Sequence, residues 1–383
     1  MQLTETLKLY PTVEQEKLLR DSMDKYIYAV NQTVKTAISG ISIAKYSSKD
    51  ISIDLPAAVK NQIARDARSI VKKHYKACRK AVLKNRKLAK AGKMVRVTAP
   101  NLPVIKKPCC YWNNQNFVIS KDVFSATDST VYISVPVMIH GKSERIRIPT
   151  KMTERQYHLF CNSKLGTLRI VTKNNQLAAQ ITYEAQEKTS TGTHIMGVDL
   201  GIKCPAVSYT DDGKVRFYGN GRKNKYMRRF YRYQRQKLGK LKKQKVIERI
   251  ADKEQRIMKD IDHKISHDIV SEAVKRNVKT IKLEQLSNIR NTTRTSRKNN
   301  PSLHTWSFYR LAQYIEYKAK LSGIEVVYVN PAYTSQACPV CGHKHHAEDR
   351  HYVCNCGFKK HRDIVGAMNI CTSTEICGNS KSA

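Results

Sequence analysis

Apolar and polar residues alternate from Leu3 to Tyr10, the period-two pattern of a strand buried on one face. Pro11 breaks the pattern. Thr12, with Gln15 three residues later, then forms the capping-box signature of a helix start. Leu19, Met23, Tyr26, Val30 and Val34 recur every three or four positions, which gives that helix one apolar face. After a loop at 40–54, a second helix is expected from Pro56, with Ile63, Ala67, Ile70 and Val71 on its inner side. Period two returns at 116–120, 131–135 and 145–148, and 168–183 reads as a hairpin with an Asn-rich turn. These strands predict a small β-barrel or sandwich that the N-terminal strand joins, so the helices of residues 12–95 are an insertion. The polar stretch 186–193 reads as a linker.

A new pattern begins at His194. Ile195, Met196 and Val198 lead to Asp199, and Gly201 ends the run, as when a buried strand delivers a carboxylate to a sheet edge. Segments 206–209 and 214–217, joined by a turn at 211–213, complete a three-strand meander. Val246, Ile250, Ile257, Ile261, Ile265 and Ile269 form a stripe at helical spacing, read as core packing on one or two long helices. Residues 278–284 make a second strand ending in an acid, Glu284. Residues 288–302 are polar, basic and aperiodic, and read as a mobile loop. An amphipathic helix follows on which Phe308, Leu311, Ala312, Ile315 and Ala319 share a face. Gly323 caps it, and 324–329 forms a further strand. A last helix runs over 363–370, and the small, polar tail from Thr372 is expected to fray.

Charge adds a partner to this outline. In 383 residues, 70 Lys and Arg stand against 31 Asp and Glu, a net of +39. With 40% hydrophobic residues the chain can still build a core. A folded protein this basic repels itself unless a polyanion neutralises it, and nucleic acid is the natural one. No apolar run reaches the ~18 residues of a membrane span, and the N-terminus lacks a signal-peptide pattern, so an intracellular protein with no membrane partner is expected. Residues 72–107 hold thirteen Lys or Arg and no acid. Lys72, Lys73, Lys76 and Arg79 are backbone-contact candidates there, while Lys60, Asn61 and Gln62 have side chains able to read base edges. Residues 214–259 hold eighteen Lys or Arg against three acids, with Tyr226, Phe230, Tyr231 and Tyr233 interleaved. Arg228, Arg229 and Arg232 are the candidates in that stretch.

Four of the eleven cysteines fall within nineteen residues. Cys338-Pro339-Val340-Cys341 is a knuckle, and after twelve intervening residues comes the tighter pair Cys354-Asn355-Cys356. Four thiolates at this spacing fit one structural, tetrahedral zinc of ribbon type, with no open coordination position. His343, His345 and His346 are near enough to substitute if Cys354 or Cys356 fails to reach.

Taken singly, Asp199, Glu284 and Asp363 each read as surface charges, Glu284 also as a salt-bridged strand end. Their order changes that reading, because adjacent strands ending at one edge place Asp199 beside Glu284, and a closing helix can add Asp363. Three clustered carboxylates raise one another's pKa unless cations join them. Two divalent ions, magnesium or manganese, suit such ligands and support phosphodiester hydrolysis.

The chain resembles the TnpB family, RNA-guided nucleases encoded by insertion sequences. The resemblance rests on Gly197-Val198-Asp199-Leu200-Gly201-Ile202-Lys203, Leu283-Glu284-Gln285-Leu286, Tyr333-Thr334-Ser335-Gln336-Ala337-Cys338-Pro339-Val340-Cys341-Gly342 and His361-Arg362-Asp363-Ile364-Val365-Gly366-Ala367-Met368-Asn369-Ile370. It implies a RuvC-like, RNase H-fold nuclease domain with a zinc-ribbon insertion, and a wedge β-barrel interrupted by a helical recognition domain. The expected boundaries are 1–10 and 101–190 for the barrel, 11–100 for the helical domain, and 191–334 and 359–371 for the nuclease domain. The ribbon takes 335–358 and a flexible tail 372–383, with 288–302 as a lid over the site. The resemblance also implies a catalytic triad of Asp199, Glu284 and Asp363, a guide (omega) RNA from the transposon end, and a double-stranded DNA target beside a short motif. A cytoplasmic, nucleoid-associated prokaryotic protein, monomeric in its ribonucleoprotein, is expected. Other readings are a miniature type V CRISPR effector, a nuclease-dead RNA-guided repressor, and a transposase or junction resolvase working without RNA. The sequence departs from the family at its tight second knuckle and at Gly366, where many members carry alanine.

Overall fold

Contacts divide the chain into two units, Met1–Gln186 and Glu187–Ala383. A computed structural model describes every residue except 93, 95–96, 122–129, 174, 190–191, 287–304, 346, 348 and 378–383. The expected lid at 288–302 lies outside the described residues. Among the described residues, no helix is long and apolar enough to cross a membrane.

In the first unit, β1 (Gln2–Lys8) pairs antiparallel with β7 (Gln176–Glu184), followed in the sheet by β6 (Leu165–Lys173) and β2 (Cys109–Trp112). A second sheet joins β3 (Val118–Lys121), β4 (Thr130–Ile139) and β5 (Lys142–Lys151). Two links close the sheets into the wedge barrel. A bridge joins Leu9 to Thr150, and buried Trp112 donates its indole N–H to Pro136 O at 3.0 Å. The N-terminal strand is therefore an integral barrel strand, as the alternation predicts. Asn175 takes the left-handed conformation that the β6–β7 turn requires, with φ of 61°.

Between β1 and β2 come α1 (Val13–Ile38) and α2 (Ala57–Lys90). The Thr12/Gln15 capping box opens α1, and all five expected apolar positions are buried. Tyr26 on α1 donates to Asp66 on α2 at 2.7 Å, pinning the pair. On α2, Ile63 and Ala67 are buried, but Ile70 and Val71 are only half-buried. Past Ala67 nothing on α2 is buried, so its basic half stands in solvent. A short helix within the strand-rich region, α3 (Glu154–Cys161), was not expected; Thr153 and Gln156 cap it.

The second unit is built on a six-stranded sheet in the order β10-β9-β8-β11-β12-β15. β8 (His194–Asp199), β9 (Ala206–Thr210) and β10 (Val215–Tyr218) are the antiparallel meander. β11 (Val278–Glu284) then runs parallel to β8, and β12 (Glu325–Val329) parallel to β11. This is the RNase H-type arrangement of a RuvC-like domain. Expected to fray, the tail instead contributes β15 (Ile376–Cys377), antiparallel to β12. Edge pairing satisfies backbone groups that a polar composition alone does not reveal.

One or two helices were expected after β10, and three form: α4 (Gly221–Lys240), α5 (Gln244–Ile250) and α6 (Lys253–Lys275). Lys242, with φ of 52°, separates α4 from α5, and the break between Ile250 and Lys253 interrupts the apolar stripe. Only Ile265 and Ile269 of the stripe are buried, Ile250, Ile257 and Ile261 are half-buried, and Val246 is exposed. Core packing thus accounts for the C-terminal half alone. α7 (Phe308–Leu321) buries Leu311, Ala312, Ile315 and Ala319, as its periodicity predicts. Its Arg310 pairs with buried Asp262 of α6 at 2.6 Å. The ribbon hairpin, β13 (His351–Val353) and β14 (Lys359–His361), leads into α8 (Arg362–Thr372).

Candidate carboxylate and cysteine centres

Register brings the first two acids together. Val198 of β8 lies opposite Leu283 of β11 in the parallel pair, so the following residues, Asp199 and Glu284, end neighbouring strands at one edge. The third acid depends on how closely α8 approaches β8. A Cβ at Gly197 would overlap the backbone of Ala367 and Cys371, so only glycine admits the helix here. One turn after Asp363, Gly366 lies against the Asp199 side chain, where a Cβ would stand 3.0 Å from Oδ2.

Asp199 is part-exposed at the sheet edge, yet protein atoms crowd its carboxylate. Burial, then the charges of Glu284 and Asp363, push its pKa well above the usual carboxylate range, against the weaker pull of Arg350 and Arg362. Burial also raises Glu284, and the Thr334 hydroxyl, which donates to Glu284 Oε1, opposes the shift. Asp363 is buried and pairs with Arg350 of the ribbon. A buried carboxylate whose pKa is raised by two neighbouring acids is the kind of ligand that suits hard divalent cations.

Two further contacts fix α8. Lys282, two residues before Glu284, donates its ammonium to Cys371 O at 2.8 Å and Ser373 O at 2.9 Å, capping the helix C-terminus. Asn369 donates to Thr334 O at 2.7 Å and Ala337 O at 2.8 Å, tying the helix to the segment that enters the ribbon. Sequence reasoning gave no role to Lys282, Thr334, Arg350 or Asn369. Thr334 and Asn369 lie within the recognised motifs, but nothing local marks any of these residues as a neighbour of an acid.

The ligand atoms of Cys338, Cys341, Cys354 and Cys356 lie within 4.8 Å of one another. No other described group of three or more candidate ligands gathers in this way. Cys338 Sγ stands 3.6 Å from Cys356 Sγ, and Cys341 Sγ 3.5 Å from Cys354 Sγ. A zinc–sulfur bond of about 2.3 Å sets tetrahedral edges of about 3.8 Å, so the set fits one zinc. Desolvation raises the Cys338 thiol, but the N–H groups of Cys341 and Val340 and the neighbouring thiols outweigh it, lowering it to about 7. The tight second knuckle closes because Gly357, with φ of 90°, folds the chain back so that Cys354 N–H meets Phe358 O at 2.9 Å. His343 and His345 are outside the cluster, and His346 lies outside the described residues.

The nucleic-acid candidates separate into two groups. Lys72, Lys73, Lys76, Arg79, Arg229 and Arg232 are exposed, and Lys60 is half-buried. Asn61 and Gln62 are already engaged: Asn61 accepts the Ser48 N–H at 2.8 Å, and Gln62 donates to Asp66 at 2.9 Å. These bonds hold the start of α2 in place and use the Asn61 carbonyl oxygen and one Gln62 amide N–H. Arg228 is half-buried and sits 3.8 Å from Glu254, beside Arg235 at 2.7 Å. It anchors α4 instead of presenting a free charge.

Comparison with known proteins follows this geometry. The family described as a probable transposase matches residues 178–290, and the Cas12f1-like TNB domain matches residues 308–370. A TnpB-like protein of Methanocaldococcus jannaschii is 35% identical over 201 residues, which span 49% of this chain and 72% of that protein. The CRISPR-associated endodeoxyribonuclease Cas12f1 of Syntrophomonas palmitatica is 23% identical over 367 residues, 87% of this chain and 70% of that protein. Among solved structures, the Cas12f1 chain of a Cas12f1–sgRNA–target DNA complex superposes with a TM-score of 0.57 at 14% identity, covering 98% of this chain and 99% of that one. At that identity the likeness concerns the fold alone.

Proposed function

The chain belongs to the TnpB family, and on that footing we propose that it is an RNA-guided DNA endonuclease of an insertion sequence. It holds a guide RNA from the transposon end and cleaves double-stranded DNA beside a short target-adjacent motif. One observation carries the reading: Asp199 and Glu284 end neighbouring parallel strands, and Asp363 of α8 lies near enough for its charge to act on Asp199, in a protein with a net charge of +39. The name of one relative, a CRISPR-associated endodeoxyribonuclease, supports the same chemistry.

Asp199, Glu284 and Asp363 would hold two magnesium or manganese ions. Bound there, the ions supply Lewis-acid activation of water and neutralise charge at the leaving oxygen. Thr334 orients Glu284, and Arg350 places a second positive group at Asp363. Gly197 and Lys282 fix the helix that presents Asp363. The four cysteines hold a structural zinc that shapes the segment carrying Arg350. The exposed cations Lys72, Lys73, Lys76, Arg79, Arg229 and Arg232 bind phosphates. The protein is a monomer in its ribonucleoprotein.

Purification with co-expressed RNA, sequencing of that RNA, and cleavage of a DNA library with randomised flanks test the reading. Asp199→Ala is expected to abolish cutting and keep RNA binding. Cleavage that survives removal of the RNA would overturn guided cutting. A second reading, a miniature type V CRISPR effector, draws on the match to Cas12f1 over 87% of the chain. The origin of the bound RNA, a transposon end or a CRISPR array, separates the two.

A further inference from the structure

α4 has two faces with different work. Arg228, Tyr231 and Arg235, spaced i, i+3 and i+7, form the inner face. Tyr231 is buried, and both arginines pair with Glu254 of α6. At the helix start, Gly221 donates its N–H to Lys203 O at 3.0 Å, and a Cβ there would overlap Ile202 O. Arg228 and Arg235 also line a cavity of about 270 Å³ with Gly201 and Ile202, the turn that follows Asp199. The inner face is thus anchored toward the carboxylate edge.

Tyr226, Phe230 and Tyr233, at i, i+4 and i+7, occupy the opposite face. They are 64%, 40% and 61% exposed, high values for three large rings on one helix side. Tyr226 and Phe230 lie within 25° of parallel, with centroids 6.3 Å apart. Arg222 and Lys237 flank the rings, both exposed, and α4 contains no acidic residue. A row of open π-faces edged by cations complements a polyanion whose bases are free to stack. A duplex hides those faces, so the fit is to a single strand.

Resting on the function proposed above, we propose that the outer face of α4 is a stacking platform for unpaired bases of the bound RNA. The function proposed above keeps one RNA bound to the protein throughout, whereas the DNA target comes and goes, so the resident single strand is the RNA.

The test has two arms. The ribonucleoprotein, purified with its co-expressed RNA, is irradiated and its crosslinks are mapped by mass spectrometry; they are expected between unpaired nucleotides and Tyr226, Phe230 or Tyr233. RNA-stripped protein is then titrated with labelled oligoadenylate, oligodeoxyadenylate and a duplex. The Y226A/F230A/Y233A variant should bind oligoadenylate at least about tenfold more weakly. Its slope of log affinity against log salt should stay unchanged, because no charge has been removed. Tyr226→Phe with Tyr233→Phe keeps the rings and should keep the affinity, which separates stacking from misfolding. Unchanged affinity in the triple alanine variant, crosslinks confined to DNA, or a changed oligomeric state would each overturn the platform. Parent protein that retains no RNA would overturn the guided reading itself, and the platform with it.

Discussion

Gly366 lies against Asp199, so that a methyl group at 366 would stand 3.0 Å from Oδ2 and 3.3 Å from Cγ. Of these neighbours the carboxylate tip is the one that can yield. Gly366→Ala removes a helix-interior glycine, worth about 1 kcal/mol. The variant should melt higher and lose less than about tenfold in single-turnover cleavage. Gly366→Val, whose branched side chain enters the same space, should lose cleavage while remaining folded. A lower melting temperature in the alanine variant would show that Asp199 cannot move aside.

The hydroxyl of Thr334 reaches Glu284 from the segment that leads into the cysteine ribbon. Thr334→Val keeps the volume and removes the donor. Cleavage should fall on the order of tenfold, the loss of one hydrogen bond to a charged group. Thr334→Ser should restore it. Equal rates for the valine and serine variants would remove Thr334 from a positioning role.

Stability should depend on pH through Asp199. Burial and like charges raise its pKa in the folded state, so the folded protein binds this proton more tightly than the unfolded chain does. The resulting stability is fully present below the unfolded carboxylate value of about 3.9 and is lost as pH rises through the folded value. Asp199→Asn carries no such loss. In magnesium-free buffer at neutral pH, that variant should therefore melt above the parent by a few degrees, and the gap should narrow as the pH is lowered. Added magnesium should raise the melting temperature of the parent more than that of the variant. Parallel melting curves across pH would contradict the raised pKa.

For the cysteine cluster, X-ray absorption should find four sulfur ligands at about 2.3 Å. Cys341→Ser should lower zinc occupancy. Because Arg350 lies between the two cysteine pairs and contacts Asp363, the variant should also slow cleavage. A nitrogen ligand would point to His343 or His345.

Arg310 and buried Asp262 join α7 to α6. Burial raises the Asp262 pKa even though Arg310 opposes the shift. Arg310→Ala would leave a buried carboxyl without its partner, at about 3 kcal/mol, read by chemical denaturation. Asp262→Asn combined with Arg310→Met should recover much of that loss.

Much of the fold was legible in the sequence because its signals are local. The capping box at Thr12, the alternation in β1, the meander after His194, the strand ending at Glu284 and the cysteine spacing each lie within a few turns or strand repeats of chain. The amphipathic stripe on α7 is equally local. The stripe from Val246 misled at its N-terminal half because periodicity shows which residues share a face, not whether anything packs on that face. Asn61 and Gln62 show a related limit, since a side chain able to read a base is equally able to bond Ser48 or Asp66.

By itself the sequence determined the candidates for chemistry: three acids at element ends, four thiols at ribbon spacing, and an excess of cations. Tertiary structure alone decided how they meet. The parallel register of β8 and β11 sets Asp199 beside Glu284. The absence of a side chain at Gly197 lets α8 approach with Asp363. Packing on α6 turns Arg228 inward and leaves Tyr226, Phe230 and Tyr233 outside. Arg350, Thr334 and Lys282 acquired their neighbours in the same way, across 13, 50 and 89 residues of chain. Periodicity and spacing act over a turn or a strand, whereas register and close approach are settled only when distant segments exclude solvent together.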